Sequence, residues 1–460
     1  MTGWLAVNLF GAWASLLVQL LGAAIGIYSS NHLKGEPRQP VYIAALGAVL
    51  AAVHLLLLAN HWVVLIAAWA AIGHAMHYLL CFYEDRPFAL LAAHKKMVTD
   101  RAADALLIAA ALLAWSQVGS GSLSALWAHI EAGHASVALA WSGVCLVLAV
   151  IARTALMPVH GWLVQVMEAP TPVSALLHAG VVNLGGYVLV LFAPLLGVSL
   201  AARWLLVLSG LVSAVVAGLV LLTRVSQKVH LAWSTIAQMG FMLLECGLGL
   251  YLFAALHLLG HSLYKAHNFL NASSAVRECD RKLMTGEVRN SGLSMIVAAP
   301  VSLIIVFALQ AVAGGQAWPW WWSAVLALAW APLLWVPKTT ADRSAAFARM
   351  LAAGLMAACL TLAAGFVDHA PLGVRNDPLA DAGVVALVGM GLMYLGMAMF
   401  QQWPRSVVVA RRWVYAGFYM DEGYTHWVLR LWPVSWAGAG REATPGSWSP
   451  REPACERSGS

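Results

Sequence analysis

Charge is scarce in this sequence. Asp, Glu, Lys and Arg make up 10% of its 460 residues, against roughly a quarter in soluble domains, and that shortage excludes an ordinary water-soluble fold. Cysteine is scarce as well. The six present, Cys81, Cys145, Cys246, Cys279, Cys359 and Cys455, form no CxxC pair, so neither a zinc site nor a disulfide framework is indicated and the thiols read as small hydrophobes. Strand-period alternation is missing, which excludes a β-barrel. No metal-ligand spacing, nucleophile motif or phosphate loop appears, and an enzyme with its own active site is the least supported class.

Apolar runs, by contrast, are abundant: 61% of residues are hydrophobic. A helix needs roughly 20 apolar residues to cross a bilayer, and about thirteen such windows recur, at 4–28, 40–59, 62–83, 102–118, 135–157, 171–196, 201–223, 229–248, 250–275, 291–312, 319–337, 346–367 and 380–402. The expected fold class is an all-α polytopic membrane protein, with the lipid bilayer as its solvent. The first window lacks a basic flank and is too long for a signal peptide, so it reads as a helix.

Cations are retained on the cytoplasmic side of membrane proteins, and here they alternate cleanly. One set of loops holds Lys34 and Arg38; Arg86, Lys95, Lys96 and Arg101; Arg224 and Lys228; Arg277, Arg281, Lys282 and Arg289; Lys338, Arg343 and Arg349; and Arg405, Arg411 and Arg412. The opposite loops hold only Arg203 and Arg375. The expectation is a multi-pass protein of the inner (cytoplasmic) membrane, N-terminus outside and C-terminus inside. Its formal charge of +6 follows from this bias and calls for no nucleic-acid partner.

Three units are expected: a transmembrane domain at 1–402, a cytoplasmic interfacial amphipathic segment at 403–436 rich in aromatic and basic residues, and a disordered tail at 437–460, where Gly, Ser, Pro and Arg offer nothing to bury. Residues 84–101, ending in KKMVTDRAAD with the start of the next span, read as a basic surface element at the same interface.

Polar residues inside spans carry the functional argument, because each costs several kcal/mol in hydrocarbon. In LHLLGHSLYKAHNFL, His257, His261 and Lys265 recur every four residues, stacking on one helix face about 6 Å apart. Two imidazoles and a desolvated amine suit proton relay; the alternative is interhelical hydrogen bonding that merely packs the bundle. A second set lies in ARTALMPVHGWLVQVMEAPTPVSALLHAGVVNLGGY, where Pro158, Pro170 and Pro172 forbid one continuous helix. Broken helices expose backbone to ions or water, and this one carries Arg153, His160 and Glu168, with His178 one helix later. Arg153 could instead snorkel to the interface, while Gly180, Gly185 and Gly186 read as close-packing positions. A third group places Lys228 at the cytoplasmic mouth and Glu245 deep in the next span. His74 and His77, in the third span, could face the same interior or, like His54, simply pack.

PVHGWLVQVMEAPTPVSALLHAG, KVHLAWSTIAQMGFM and HSLYKAHNFL, in that order and spacing, resemble the proton-translocating antiporter-like subunits of respiratory complex I and Mrp cation/proton antiporters. The likeness runs from about residue 16 to 435. HGWL, HAGVVNLGG, WSTIAQMGFMLLECGLG and the ending YAGFYMDEGYTHWVLRLWP resemble one branch, the DabB family of membrane subunits of DAB inorganic-carbon transporters. The resemblance implies inverted repeats with at least one broken helix. It also implies a peripheral DabA-like partner, related to zinc β-carbonic anhydrases, at the cytoplasmic face, so that zinc and the CO2 chemistry belong to that partner and no cofactor to this chain. By position it puts Arg153 where relatives carry a pumping lysine, His178 on the histidine after PTPVSAL, and His257, His261 and Lys265 on central histidines and a lysine. Two departures stand out: the glutamate expected in a W-E-x-x-G stretch is Ala70, so the usual Glu–Lys pair is not expected, and no lysine lies between Ser344 and Phe366. About two N-terminal helices of longer relatives also lack counterparts. The implied function is a cation-conducting subunit, with Arg153, His178, Lys228, Glu245, His257, His261 and Lys265 as the ion path and His74, His77, His160 and Glu168 as further candidates. A proton-translocating subunit of a complex I, Mrp or hydrogenase-type assembly, and a non-conducting anchor, are the alternatives.

Overall fold

A computed structural model of the chain describes residues 3–271, 290–313, 318–338, 343–365 and 371–434. The expected tail at 437–460 and the cations Arg277, Arg281, Lys282 and Arg289 lie outside the described residues.

The chain begins with α1 (Leu9–His32), α2 (Gln39–Leu57), α3 (Trp62–Leu80), the 32-residue α4 (Pro87–Val118), the short α5 (Leu123–Glu131) and α6 (Val137–Arg153). After α6 the backbone breaks. Ala155 takes a positive φ of 54°, and α7 (Gly161–Gln165) contributes five residues before a 3-10 turn at Val166–Glu168. Pro172 then opens α8 (Thr171–Ala179), where a missing N–H costs nothing. A second interruption follows at Gly180–Asn183 before α9 (Leu184–Leu191) and the short α10 (Ala193–Gly197). The paired helices α11 (Leu200–Leu221) and α12 (Gln227–Gly247) come next, then α13 (Tyr251–Leu270). The remainder comprises α14 (Gly292–Ala313), α15 (Trp320–Trp330), α16 (Arg343–Gly365), α17 (Ala380–Gln402), and two C-terminal helices, α18 (Val408–Tyr415) and α19 (Met420–Leu431).

Helix occupies each of the thirteen predicted segments, and among the described residues eight helical stretches are long and apolar enough to cross a membrane. Burial ranks them. The broken stretch 171–191 is 94% buried, whereas 344–365 is 11% buried, so α8 and α9 form the centre and α16 lies at the rim. Rim positions such as Leu20, Ile27, Ile304 and Leu392 are exposed, the arrangement expected where lipid rather than water surrounds the bundle.

Where the loops are described, those of one set meet one another. Arg38, after α1, pairs with Glu84, after α3, at 2.6 Å; Arg86 donates to the Glu168 carbonyl at 2.7 Å; and the Arg224 guanidinium lies 5.2 Å from the Tyr415 ring. In the other set Arg203 pairs with Asp377 at 2.9 Å. For Arg38, Arg86, Arg224 and Arg203, the alternation read from the sequence matches these contacts.

One expectation is corrected. Residues 84–101 do not form a separate surface element: from Pro87 they are the first turns of α4, and Lys95, Lys96, Thr99 and Asp100 are buried. Hydropathy assigns such charges to water, but here each finds a partner. Lys95 pairs with Asp421 and also donates to Thr425 Oγ1 at 2.8 Å, while Lys96 pairs with Asp100 at 2.5 Å. Tyr424 donates to the Lys95 carbonyl at 3.1 Å, and burial pushes its hydroxyl up to about 12, keeping it a neutral donor. By these contacts α19 is clamped onto α4.

Small residues set the α11–α12 distance. A Cβ at Gly240 would lie 2.6 Å from the Ala214 nitrogen and 2.7 Å from the Gly210 oxygen, both backbone atoms that cannot yield without moving a helix. Gly240→Val should therefore destabilise the fold by about 1–3 kcal/mol, seen as a lower melting temperature and less monodisperse protein in detergent; an unchanged melting curve would contradict the close contact.

Candidate functional site

The polar stripe of α13 lies in the centre. His257 Nδ1 stands 2.9 Å from Glu245 Oε2 on α12, tying the stripe to the carboxylate at its far end. The His257 and His261 rings are 6.0 Å apart, edge to face. Lys265, two turns after His257, is fully buried and donates to the Leu231 carbonyl at 3.0 Å and to Ser234 Oγ. His178, on α8, stacks on Phe269 at 4.6 Å, one turn beyond Lys265.

Proton positions follow from the neighbours. Asn183 Nδ2 donates to the Ala179 carbonyl and to Ser262 Oγ, at 2.9 and 2.7 Å, so its Oδ1 accepts from His261 Nδ1 at 3.1 Å. Thr235 spends its hydroxyl proton on the Leu231 carbonyl at 3.0 Å, so its oxygen accepts from His178 Nδ1, also at 3.0 Å. In each neutral imidazole the proton is therefore on Nδ1 and the lone pair on Nε2. Both Nε2 atoms are buried and have no hydrogen-bond partner among the described residues. Two bare proton acceptors thus face the interior beside a buried amine, where bridging water would satisfy them.

Arg153 forms a second centre. It does not snorkel: it is 5% exposed, donates to the Trp69 carbonyl at 2.9 Å, lies 4.9 Å from the Trp69 ring and pairs with Asp104 of α4. Arg101 approaches the other Asp104 oxygen at 3.1 Å. The usual Glu–Lys pair is not formed; Arg153 instead takes a carboxylate from α4, on a helix other than the one that carries Ala70. His160, at the break, is buried against Trp233 at 5.0 Å, and its Nδ1 has no partner among the described residues.

Other candidates lie apart. Lys228 is half-buried at the first turn of α12, Glu168 is exposed, and His74 is exposed against Tyr78. His77 is half-buried, with its Nε2 3.7 Å from Cys81 Sγ and its Nδ1 buried without a partner. Gly185 and Gly186 do allow close packing, against Thr154 and Met242, but Gly180 instead caps α8 at the second break.

Asn183 and Asp104 are the two residues that sequence reasoning passed over. Asn183 sits in HAGVVNLGG, where a polar amide in an otherwise apolar stretch is itself a signal. Asp104 follows Lys96 and Asp100 at intervals of four, the same spacing that singled out the α13 stripe.

Among the described residues, a helical bundle with broken central helices, a largely buried His–His–Lys stripe and a buried Arg–Asp pair defines the class of antiporter-like membrane subunits. A family profile, NADH:quinone oxidoreductase/Mrp antiporter, TM, matches residues 59–331. The chain belongs to that family. Within it, the chain is 34% identical to a probable inorganic carbon transporter subunit DabB of Hydrogenovibrio crunogenus, over 94% of this chain and 86% of the relative. It is 42% identical to subunit DabB2 of Halothiobacillus neapolitanus, where the match covers 65% of this chain but only 52% of the relative, about half its length. A solved structure of the Mrp complex from Dietzia sp. DQ12-45-1b contains a chain with the same fold, at a TM-score of 0.60 and 21% identity, covering 90% of this chain and 52% of that one.

Proposed function

We propose that this chain conducts a cation, the proton, as the membrane subunit of an inorganic-carbon transporter, and that the ion gradient drives CO2 hydration by a peripheral partner. The C-terminus is then cytoplasmic, and zinc sits on the partner, a DabA-like protein related to carbonic anhydrases. The observation that carries the reading is the chain of a buried Glu245, a half-buried His257 and buried His261 and Lys265, with His178 beside it and bare Nε2 atoms on two of the imidazoles. Titratable groups in hydrocarbon are costly, and neutral imidazoles with one nitrogen donating and the other free are suited to receive a proton on one side and release it on the other. The likeness to DabB subunits supports the substrate, inorganic carbon.

The Arg153–Asp104 pair favours a second reading, a proton-translocating subunit of a complex I, Mrp or hydrogenase-type assembly, because a buried cation–carboxylate pair is what a gated proton step there would use. Affinity purification from native membranes separates the two. A zinc-containing, carbonic-anhydrase-like protein should come down with the chain; recovery of dehydrogenase or hydrogenase subunits instead would overturn the assignment.

A further inference from the structure

The relay from Glu245 to Lys265 makes no use of the charges buried in α4. Lys96 and Asp100 pair at 2.5 Å with side chains 6% and 5% exposed, and Asp104, one turn further, pairs with Arg153. The three α4 residues are spaced by four, so they occupy one face and descend about 6 Å per step. Their surroundings make room for charge. A Cβ at Gly73 on α3 would lie 2.7 Å from Asp100 Oδ2, so the carboxylate occupies space that exists because α3 carries no side chain there. Lys96 Nζ lies 5.3 Å from the Trp162 ring of α7, within the break. His77, one turn beyond Gly73, keeps its buried Nδ1 unpartnered within electrostatic reach of Lys96.

Stability does not account for the pair. Each buried ion loses several kcal/mol of hydration, and an apolar pair of the same volume is often equally or more stable. What the pair can do that an apolar pair cannot is exchange protons.

We propose that Lys96 and Asp100 carry protons between the cytoplasmic face and the Asp104–Arg153 pair, as a branch separate from the α13 stripe. Lys96 Nζ releases a proton to the cytoplasmic side, leaving a neutral amine. Asp104, loaded from the membrane interior, passes its proton through water to Asp100 Oδ2, and Asp100 returns it to Lys96 Nζ, restoring the ammonium–carboxylate pair. Arg153 stays protonated throughout, as a guanidinium must, so Asp104 is the acceptor. The proposal rests on the proton-conducting reading above.

The test is the double substitution Lys96→Met with Asp100→Leu, which removes both charges and leaves none unpaired, in the complex with its partner, alongside Lys265→Ala. Bicarbonate accumulation by the double variant should fall at least about 10-fold, with membrane abundance, melting temperature and partner recovery unchanged. Asp100→Asn, scored as uptake per molecule reaching the membrane, should lose uptake likewise, while Asp100→Glu should retain part of it; the same per-molecule score is used if the double variant reaches the membrane poorly. Parental uptake in the double variant, or in Asp100→Asn, would overturn the branch. Should only these keep uptake while Lys265→Ala loses it, the branch fails and the relay stands; should Lys265→Ala also keep uptake, the relay reading itself fails.

Discussion

Replacing Lys265 with alanine is expected to reduce bicarbonate accumulation to background, a loss of at least about 10-fold, while the protein still reaches the membrane and still recovers its partner. Lys265 is fully buried and its amine donates to two oxygens of α12, the Leu231 carbonyl and Ser234 Oγ. Those acceptors are not orphaned by its loss, because Thr235 and Ser234 also donate to the Leu231 carbonyl, at 3.0 and 3.3 Å. Removal of a desolvated amine therefore deletes a proton carrier without leaving a buried charge. Lys265→Arg sharpens the point: it keeps the positive charge but cannot release a proton, so a relay predicts loss there too. A purely electrostatic role predicts retention. Uptake at the parental level in Lys265→Ala, measured with radiolabelled bicarbonate, would remove the relay from consideration.

The second large effect is on stability. Asp104→Ala should leave the Arg153 guanidinium buried with the Trp69 carbonyl as its remaining polar acceptor. Removing one member of a buried pair typically costs about 3–5 kcal/mol, so the variant should show sharply lower membrane abundance and an earlier melting transition in detergent. Arg101, half-exposed beside the same carboxylate, has no need of it. The double variant Arg153→Met with Asp104→Leu should recover the melting temperature and not the transport. A melting curve for Asp104→Ala indistinguishable from the parent would mean that the pair is not buried as described.

How much of this could be read from the sequence depends on whether a residue's partner lies on its own helix. The spans were legible because hydropathy integrates over some twenty residues. The α13 stripe was legible because a spacing of four on one helix needs no knowledge of any other. Arg153 is legible but its partner is not: Asp104 falls inside the window 102–118, and nothing in a single sequence says which distant cation a carboxylate in a span meets. Pairing with a carboxylate is what lets α4 bury Lys95 and Lys96, and the partner of Lys95, Asp421, comes from a distant part of the chain, as Asp104 does for Arg153. Asn183 escaped for another reason. Its amide reaches His261 because the backbone turns at Gly180–Asn183, and no proline announces that second break as Pro158, Pro170 and Pro172 announce the first.

The central claim is that an ion gradient acting through this chain drives carbon accumulation. It is tested most directly by bicarbonate uptake in cells that depend on the intact complex, with and without a protonophore, at matched ATP. Accumulation that collapses with the protonophore and is restored by an imposed inward proton gradient is the predicted result. Accumulation unchanged by either treatment would contradict it.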